Sequence, residues 1–207
     1  MPRLEQLRLF DVPEKKNKRM AFQRFGGYAK KNSERAKRDY YGTDPKSAKA
    51  LIDNERLAHL VWEPTSGHGN IVRVLEAYGH EVTSTDIEDY GEQDYKQDFL
   101  LAQKCPKEGM DIVMNPQYLL ATEFVRHALD ILDPGRKLCA LLRIQFLEGQ
   151  RRFDEIHVKD PPLRVWVFVK RQYCSSKDDF SGSSAVCYCW FVWRKGYEGE
   201  PKVKWLL

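Results

Sequence analysis

Between residues 44 and 144, short apolar runs alternate with amphipathic stretches, and this alternation narrows the possible folds more than any other feature of the chain. His59-Leu60-Val61-Trp62, Glu81 to Thr85, Asp111 to Met114 and Lys137 to Ile144 read as strands. Asp44-Pro45 opens a helical run through Ala48, Leu51, Ile52 and Leu57. Ile71, Val72, Val74, Leu75 and Tyr78 give an apolar helical face ended by Gly79, and Thr122 to Leu132 gives another, stopped at Asp133-Pro134-Gly135. Strands separated by such helices predict an α/β fold, a mostly parallel sheet with helices on both faces. A polar helix is expected near 149–157. Arg164 to Val169 and Ala185 to Trp193 are two further strands, separated by a Ser-, Gly- and Asp-rich loop at 174–184. With no helix between them, they are expected to form an antiparallel hairpin at the sheet edge.

In a sheet of this kind ligands sit beyond the carboxyl ends of the strands, and four informative residue groups fall there. The first strand runs into Glu63-Pro64-Thr65-Ser66-Gly67-His68-Gly69, whose glycines allow a sharp turn and close backbone approach to a ligand. The spacing lacks the full G-x-G-x-x-G pattern, which argues against a dinucleotide. The second strand ends at Asp86, which reads either as a turn residue or as an acceptor for two ribose hydroxyls. Asp98-Phe99 reads either as a helix cap followed by a core ring, or as a carboxylate for an exocyclic amine beside a ring on a purine face.

The fourth group is Asn115-Pro116-Gln117-Tyr118. It reads as a strand closed by a proline turn, or as a clamp for a planar nitrogen base. In the second reading the Asn115 side-chain oxygen and the Pro116 carbonyl each accept one proton of an NH2 group, and the Tyr118 ring stacks on the base. Two acceptors on one amino nitrogen favour a tetrahedral geometry whose lone pair can meet an electrophile without a general base.

Glu-Pro-x-x-Gly-x-Gly, then Asp, then Asp-Phe, then Asn-Pro-x-Tyr, in this order, resembles the S-adenosylmethionine-dependent methyltransferases that modify amino nitrogens. In particular it is similar to the Dam-like adenine-N6 DNA methyltransferases of the small phage and prophage type. Tyr41-Gly42-Thr43-Asp44-Pro45 resembles that family's N-terminal cofactor motif. Leu142-Arg143-Ile144-Gln145-Phe146-Leu147-Glu148-Gly149-Gln150 and Trp190-Phe191-Val192-Trp193 also look like the phage-type branch. The resemblance spans roughly residues 39–205. It implies a Rossmann-like methyltransferase sheet and S-adenosylmethionine as cofactor. It further implies that Thr43, Glu63, Thr65, Gly67 and Gly69 hold the methionine part, Asp86 the ribose, and Asp98 and Phe99 the cofactor adenine. Asn115, Pro116 and Tyr118 would hold the target, adenine N6 in DNA. The chain departs from the family at Gln117, where a second proline is usual, so restriction of φ there is lost. The same clamp would also suit an adenine in RNA or a glutamine amide in a protein, and Gln117 leaves open a binder that no longer transfers methyl groups.

Charge adds a second division. Residues 14–38 carry ten Lys or Arg against Glu14 and Glu34, a local balance of +8, whereas the whole chain is only +4, so the remainder is mildly acidic. Phe22, Phe25 and Tyr28 are interleaved with these cations, a mixture that suits phosphates and bases. The expectation is a basic extension over 1–38 and a methyltransferase domain over 39–207. The expected nucleic-acid contacts are Lys15, Lys16, Lys18, Arg19, Arg24, Lys30 and Lys31 from the extension, with Arg151 and Arg152 from the 145–162 segment. The five cysteines include no CxxC pair and the histidines are scattered, so no metal is expected and the thiols read as reduced. No membrane span is expected because no run of about 18 apolar residues occurs. The start lacks the layout of a secretory signal, and the reading is an intracellular, cytoplasmic protein.

Overall fold

The computed structural model describes residues 42–172, Phe180 and residues 186–207. The basic extension, the expected boundary between residues 38 and 39, and most of the 174–184 loop lie outside the described residues.

Helix α1 (Pro45–Asn54) starts where local chemistry predicts: the Asp44 carboxylate accepts a hydrogen bond from the Lys46 amide at 2.9 Å, and proline occupies the first turn. Strand β1 (Leu60–Glu63) leads through the glycine loop into α2 (Asn70–Ala77), and β2 (Glu81–Asp86) follows. After the two-residue β3 (Tyr95–Lys96) come β4 (Asp111–Met114), α3 (Ala121–Ile131) and β5 (Lys137–Arg143). The polar segment expected as one helix is α-helical at Gln150–Arg152 and widens to π geometry at Phe153–His157. Strands β6 (Arg164–Phe168), β7 (Tyr188–Arg194) and β8 (Lys202–Leu206) complete the order. Among the described residues no helix is long and apolar enough to cross a membrane.

The eight strands form one sheet in the order β3-β2-β1-β4-β5-β7-β6-β8. All neighbours pair in parallel except β7, which runs against both β5 and β6. The fold class is therefore as the alternation predicts, with one further strand at the edge. Strands β6 and β7 do form an antiparallel pair, but β7 is internal and β8 covers β6 in parallel register, Arg164 opposite Lys202. Two strands escaped the sequence reading: β3 is only two residues long, and β8 is lysine-rich with Val203 and Trp205 exposed.

Both faces of the sheet are covered, which is why β5 and β7 read as continuous apolar runs. On one face Trp62, Ile112, Met114, Leu138, Ala140, Leu142, Phe191 and Trp193 pack with Phe124, Val125, Ala128 and Leu129 of α3. On the other, Val61, Val113, Cys139, Leu141, Trp190 and Val192 pack with Leu51 of α1 and with Ile71 and Leu75 of α2. The amino-terminal end of the sheet is tied by Glu55, just after α1. Its carboxylate accepts from Trp166 Nε1 at 2.8 Å, Arg164 Nη2 at 2.8 Å and Lys137 Nζ at 2.9 Å. Burial pushes the Glu55 carboxyl up, but the hydrogen bonds from Arg164, Trp166 and Lys137 outweigh it and hold the group below its ordinary range.

Candidate active site

The chain leaves β1 toward β2 on one side and returns at β4 on the other, so the sheet reverses its order of addition between β1 and β4. Such a switch point opens a crevice at the carboxyl ends of the two strands. Glu63 closes β1 and Asn115 follows β4, and both line one narrow polar cleft. Gly42, Thr43, Thr65, Ser66, Asn70 and Ile71 complete its walls.

The cleft is built around buried polar atoms in need of partners. Glu63 is 1% exposed, and its Oε2, Thr65 Oγ1 and Ser66 Oγ are buried without a hydrogen-bond partner among the described residues. Burial, reinforced by the nearby Asp86 carboxylate, drives the Glu63 carboxyl well above its ordinary range despite the Val72 amide and the Arg73 charge. The loop that carries these atoms turns through left-handed backbone at Gly67 (φ 50°) and Gly69 (φ 68°). At Gly69 a Cβ would also meet Arg73 Nη1 at 3.2 Å. The Gly67 amide donates to Asp86 Oδ2 at 2.9 Å and the Glu88 amide to Asp86 Oδ1 at 3.0 Å, which fixes the carboxylate at the end of β2. Burial still raises the Asp86 carboxyl above the usual value. Beside the loop, the His68 and Tyr90 rings meet edge to face at 4.9 Å.

At the clamp, the Tyr118 hydroxyl donates to Asn115 Oδ1 at 3.0 Å. This contact orients the Asn115 side chain. Pro116 is buried, and Gln117 sits at φ −55°, inside the range a proline ring would impose. The backbone therefore holds at Gln117 the conformation that a proline there would enforce.

Four of the residues singled out in the sequence, Asp98, Phe99, Arg151 and Arg152, make contacts within the protein. Asp98 caps a short 3-10 turn by accepting from the Leu100 amide at 3.0 Å, and Phe99 is a core ring, 2% exposed. The Phe99 ring meets Trp62 at 5.2 Å, Phe124 at 5.4 Å and His127 at 5.0 Å, so it has no open face for a purine. The cap-and-core reading is the one the structure adopts, and what Phe99 can offer a cofactor is its main chain. Arg151 and Arg152 are also engaged elsewhere. Arg151 is bound at 2.9 Å by both Glu123 and Glu155, which neutralise it. Arg152 donates to the carbonyls of Gln145, Phe146 and Glu148, so its fork is directed into the protein rather than at a polymer. Lys15, Lys16, Lys18, Arg19, Arg24, Lys30 and Lys31 lie outside the described residues. Conversely, Ser66 and Asn70 line the cleft without having been singled out in the sequence, although both lie within or directly after the glycine loop. Among the described residues no group of three His, Cys, Asp or Glu side chains forms a metal cradle.

No family model matches the chain, and no curated protein matches it in sequence. Solved structures do share its fold. A protein of Agrobacterium tumefaciens described as a predicted O-methyltransferase superposes with a TM-score of 0.56 at 18% identity, over 79% of this chain and 86% of that one. The 23S rRNA methyltransferase ErmE gives 0.53 at 17% identity, over 78% and 71%. A Listeria monocytogenes protein assigned to the class I S-adenosylmethionine-dependent methyltransferases gives 0.50 at 12% identity, over 78% and 62%. What the chain shares with these methyltransferases is the fold, a Rossmann-like sheet with helices on both faces. Glu63 Oε2, without a partner among the described residues, and the Thr65 and Ser66 hydroxyls have the chemistry to meet an ammonium and a carboxylate, and Asp86 stands at the carboxyl end of β2.

Proposed function

We propose that this chain is an S-adenosylmethionine-dependent methyltransferase acting on the N6 amino group of adenine in DNA. The observation that carries the reading is that Asn115 shares one cleft with Thr43, Glu63 and Thr65 at the switch point of the sheet. Cofactor residues and an amide-bearing clamp at the end of two adjacent strands are what methyl transfer to an amine requires. The neighbouring structures support the fold and leave the substrate to the site's own chemistry.

In this reading Thr43, Glu63, Thr65, Gly67 and Gly69 hold the amino-acid end of the cofactor. Asp86 takes the ribose, and Asp98 with the Phe99 main chain borders the adenine. When bound, the cofactor supplies a methyl group on a positively charged sulfur. The protein's part is orientation. Asn115 Oδ1 and the Pro116 carbonyl each accept one N6 proton, and Tyr118 both positions Asn115 and offers its ring to the base. A duplex base has to leave the stack to reach them, and the basic extension adds affinity for phosphates.

The test is incubation of the full chain with methyl-labelled S-adenosylmethionine and duplex DNA, single-stranded DNA, total RNA or bulk protein, followed by digestion of the labelled polymer. The expected product is N6-methyladenine from DNA, and Asn115→Ala should abolish labelling while changing cofactor affinity less than about twofold, a change within about 0.4 kcal/mol. Label in RNA or protein alone would overturn the choice of substrate. Full activity in Asn115→Ala would overturn the clamp.

A further inference from the structure

The Tyr118 ring has neighbours that the Asn-Pro-x-Tyr motif does not specify. The guanidinium carbon of Arg143, the last residue of β5, lies 5.0 Å from the centre of the ring. The Tyr188 ring lies 5.5 Å away, tilted by 33°. Arg143 and Tyr188 face each other across the antiparallel β5–β7 ladder, so both project from the same side of the sheet and together form a platform for Tyr118.

Arg143, like Arg194 over Tyr197, stands over a tyrosine ring and, among the described residues, not beside a carboxylate. Arg73, Arg126, Arg151 and Arg164 are paired with carboxylates, and Arg152 with main-chain carbonyls. Arg143 is exposed, and its recorded contact among the described residues is with the Tyr118 ring. A guanidinium carries five N–H donors in a plane that fits a phosphate in two-pronged fashion. Among the described residues that fork has no anion beside it, and it lies one side chain away from the clamp.

We propose that Arg143 is the substrate-contacting cation of the site: its guanidinium holds the place on Tyr118 where the target base stacks, leaves the ring as the base arrives, and pairs with a phosphate flanking the target nucleotide. The inference rests on the nucleic-acid reading above. The exchange is physically balanced. An exposed cation–π contact is weak, base-on-aromatic stacking is at least comparable, and the displaced charge meets a polyanion. Placement at the end of β5, a strand adjacent to β4, keeps the arginine within reach of a backbone whose base occupies the clamp.

The test uses the full chain, a fluorescently labelled adenine-containing DNA duplex, and Arg143→Gln, Arg143→Lys and Arg151→Gln. Affinity is measured across a salt series, beside KM, kcat, cofactor affinity and thermal melting. Arg143→Gln should lower the slope of log affinity against log salt by about one. It should weaken DNA binding by roughly tenfold, as expected for one lost charged contact, with the loss in KM rather than kcat. Arg143→Lys should restore the slope because it restores the charge, and Arg151→Gln should leave the slope at the wild-type value. Cofactor affinity and melting temperature should be unchanged throughout. An unaltered slope in Arg143→Gln, or a fall in kcat alone, would make Arg143 a structural prop and overturn the proposal while the methyltransferase reading stands. A wild-type chain that neither binds nor labels nucleic acid would overturn both.

Discussion

Replacing Glu63 by glutamine separates two properties that the wild-type residue couples. The carboxyl is almost fully enclosed at the end of β1, one of its oxygens has no partner among the described residues, and burial with the Asp86 charge drives it well above its ordinary range. Ionisation therefore needs a cation, and in the proposed site the cofactor's ammonium provides it. A hydrogen bond to a charged group contributes about 1.5–3 kcal/mol, so Glu63→Gln, which keeps shape but cannot ionise, should weaken cofactor binding by about 10- to 150-fold. Stability without cofactor should move the other way. A folded-state pKa above the unfolded one means that the Glu63 contribution is fully present below the ordinary glutamate range. That contribution is then lost as pH rises through the raised value. Removing the titratable group removes this loss, so apo Glu63→Gln should melt at higher temperature than wild type toward the alkaline side, with the two curves converging in acid. Calorimetry in buffers of different ionisation heat should detect proton release on cofactor binding by wild type and less by the variant. Equal cofactor affinity in the two proteins, or overlaid melting profiles across pH, would refute the reasoning.

Two further substitutions test the frame around the site. Gln117→Pro should raise stability by about 0.4–1 kcal/mol, because φ is already −55° and proline mainly restricts the unfolded chain. Chemical denaturation measures this, and a loss above about 1 kcal/mol would show a conflict with Pro116 or the Gln117 amide, of the kind that an incompatible proline creates. Glu55→Ala should cost about 3 kcal/mol, the low end for breaking a buried ion pair, since Lys137 and Arg164 keep some contact with water. Because the Glu55 pKa is depressed, the stability it contributes is present above its unfolded value and lost as pH falls through the folded one. The variant should therefore show a weaker acid dependence in urea titrations. A cost under about 1 kcal/mol would show that the network contributes little net stability.

The parts of the fold legible in the sequence are those written by local periodicity and capping. Asp44 and Pro45 announce α1, and the apolar runs of β4 and β5 announce strands buried on both faces. Likewise the glycine loop, Asp86 and Asn115 could be assigned to strand ends because each directly follows a strand. What could not be read depends on partners distant along the chain. Asp98-Phe99 carries no sign of whether its ring meets Trp62 and Phe124 or a ligand, and only the assembled core decides. Arg151 looks like a free cation until Glu123, 28 residues earlier, is brought beside it. Arg143 looks unremarkable until Tyr118 and Tyr188 surround it. Strand β8, with apolar residues facing outward, is a strand only because β6 offers a free edge.

The insertion of β7 between β5 and β6 bears on how the protein matures. Tyr188 arrives 70 residues after the tyrosine it supports, and the ladder that aligns it with Arg143 joins segments about 50 residues apart. Every motif residue from Thr43 to Tyr118 thus emerges from the ribosome before the ground it stands on exists. A nascent chain halted short of β7 would carry the full chemical vocabulary of the site and lack the floor beneath its aromatic.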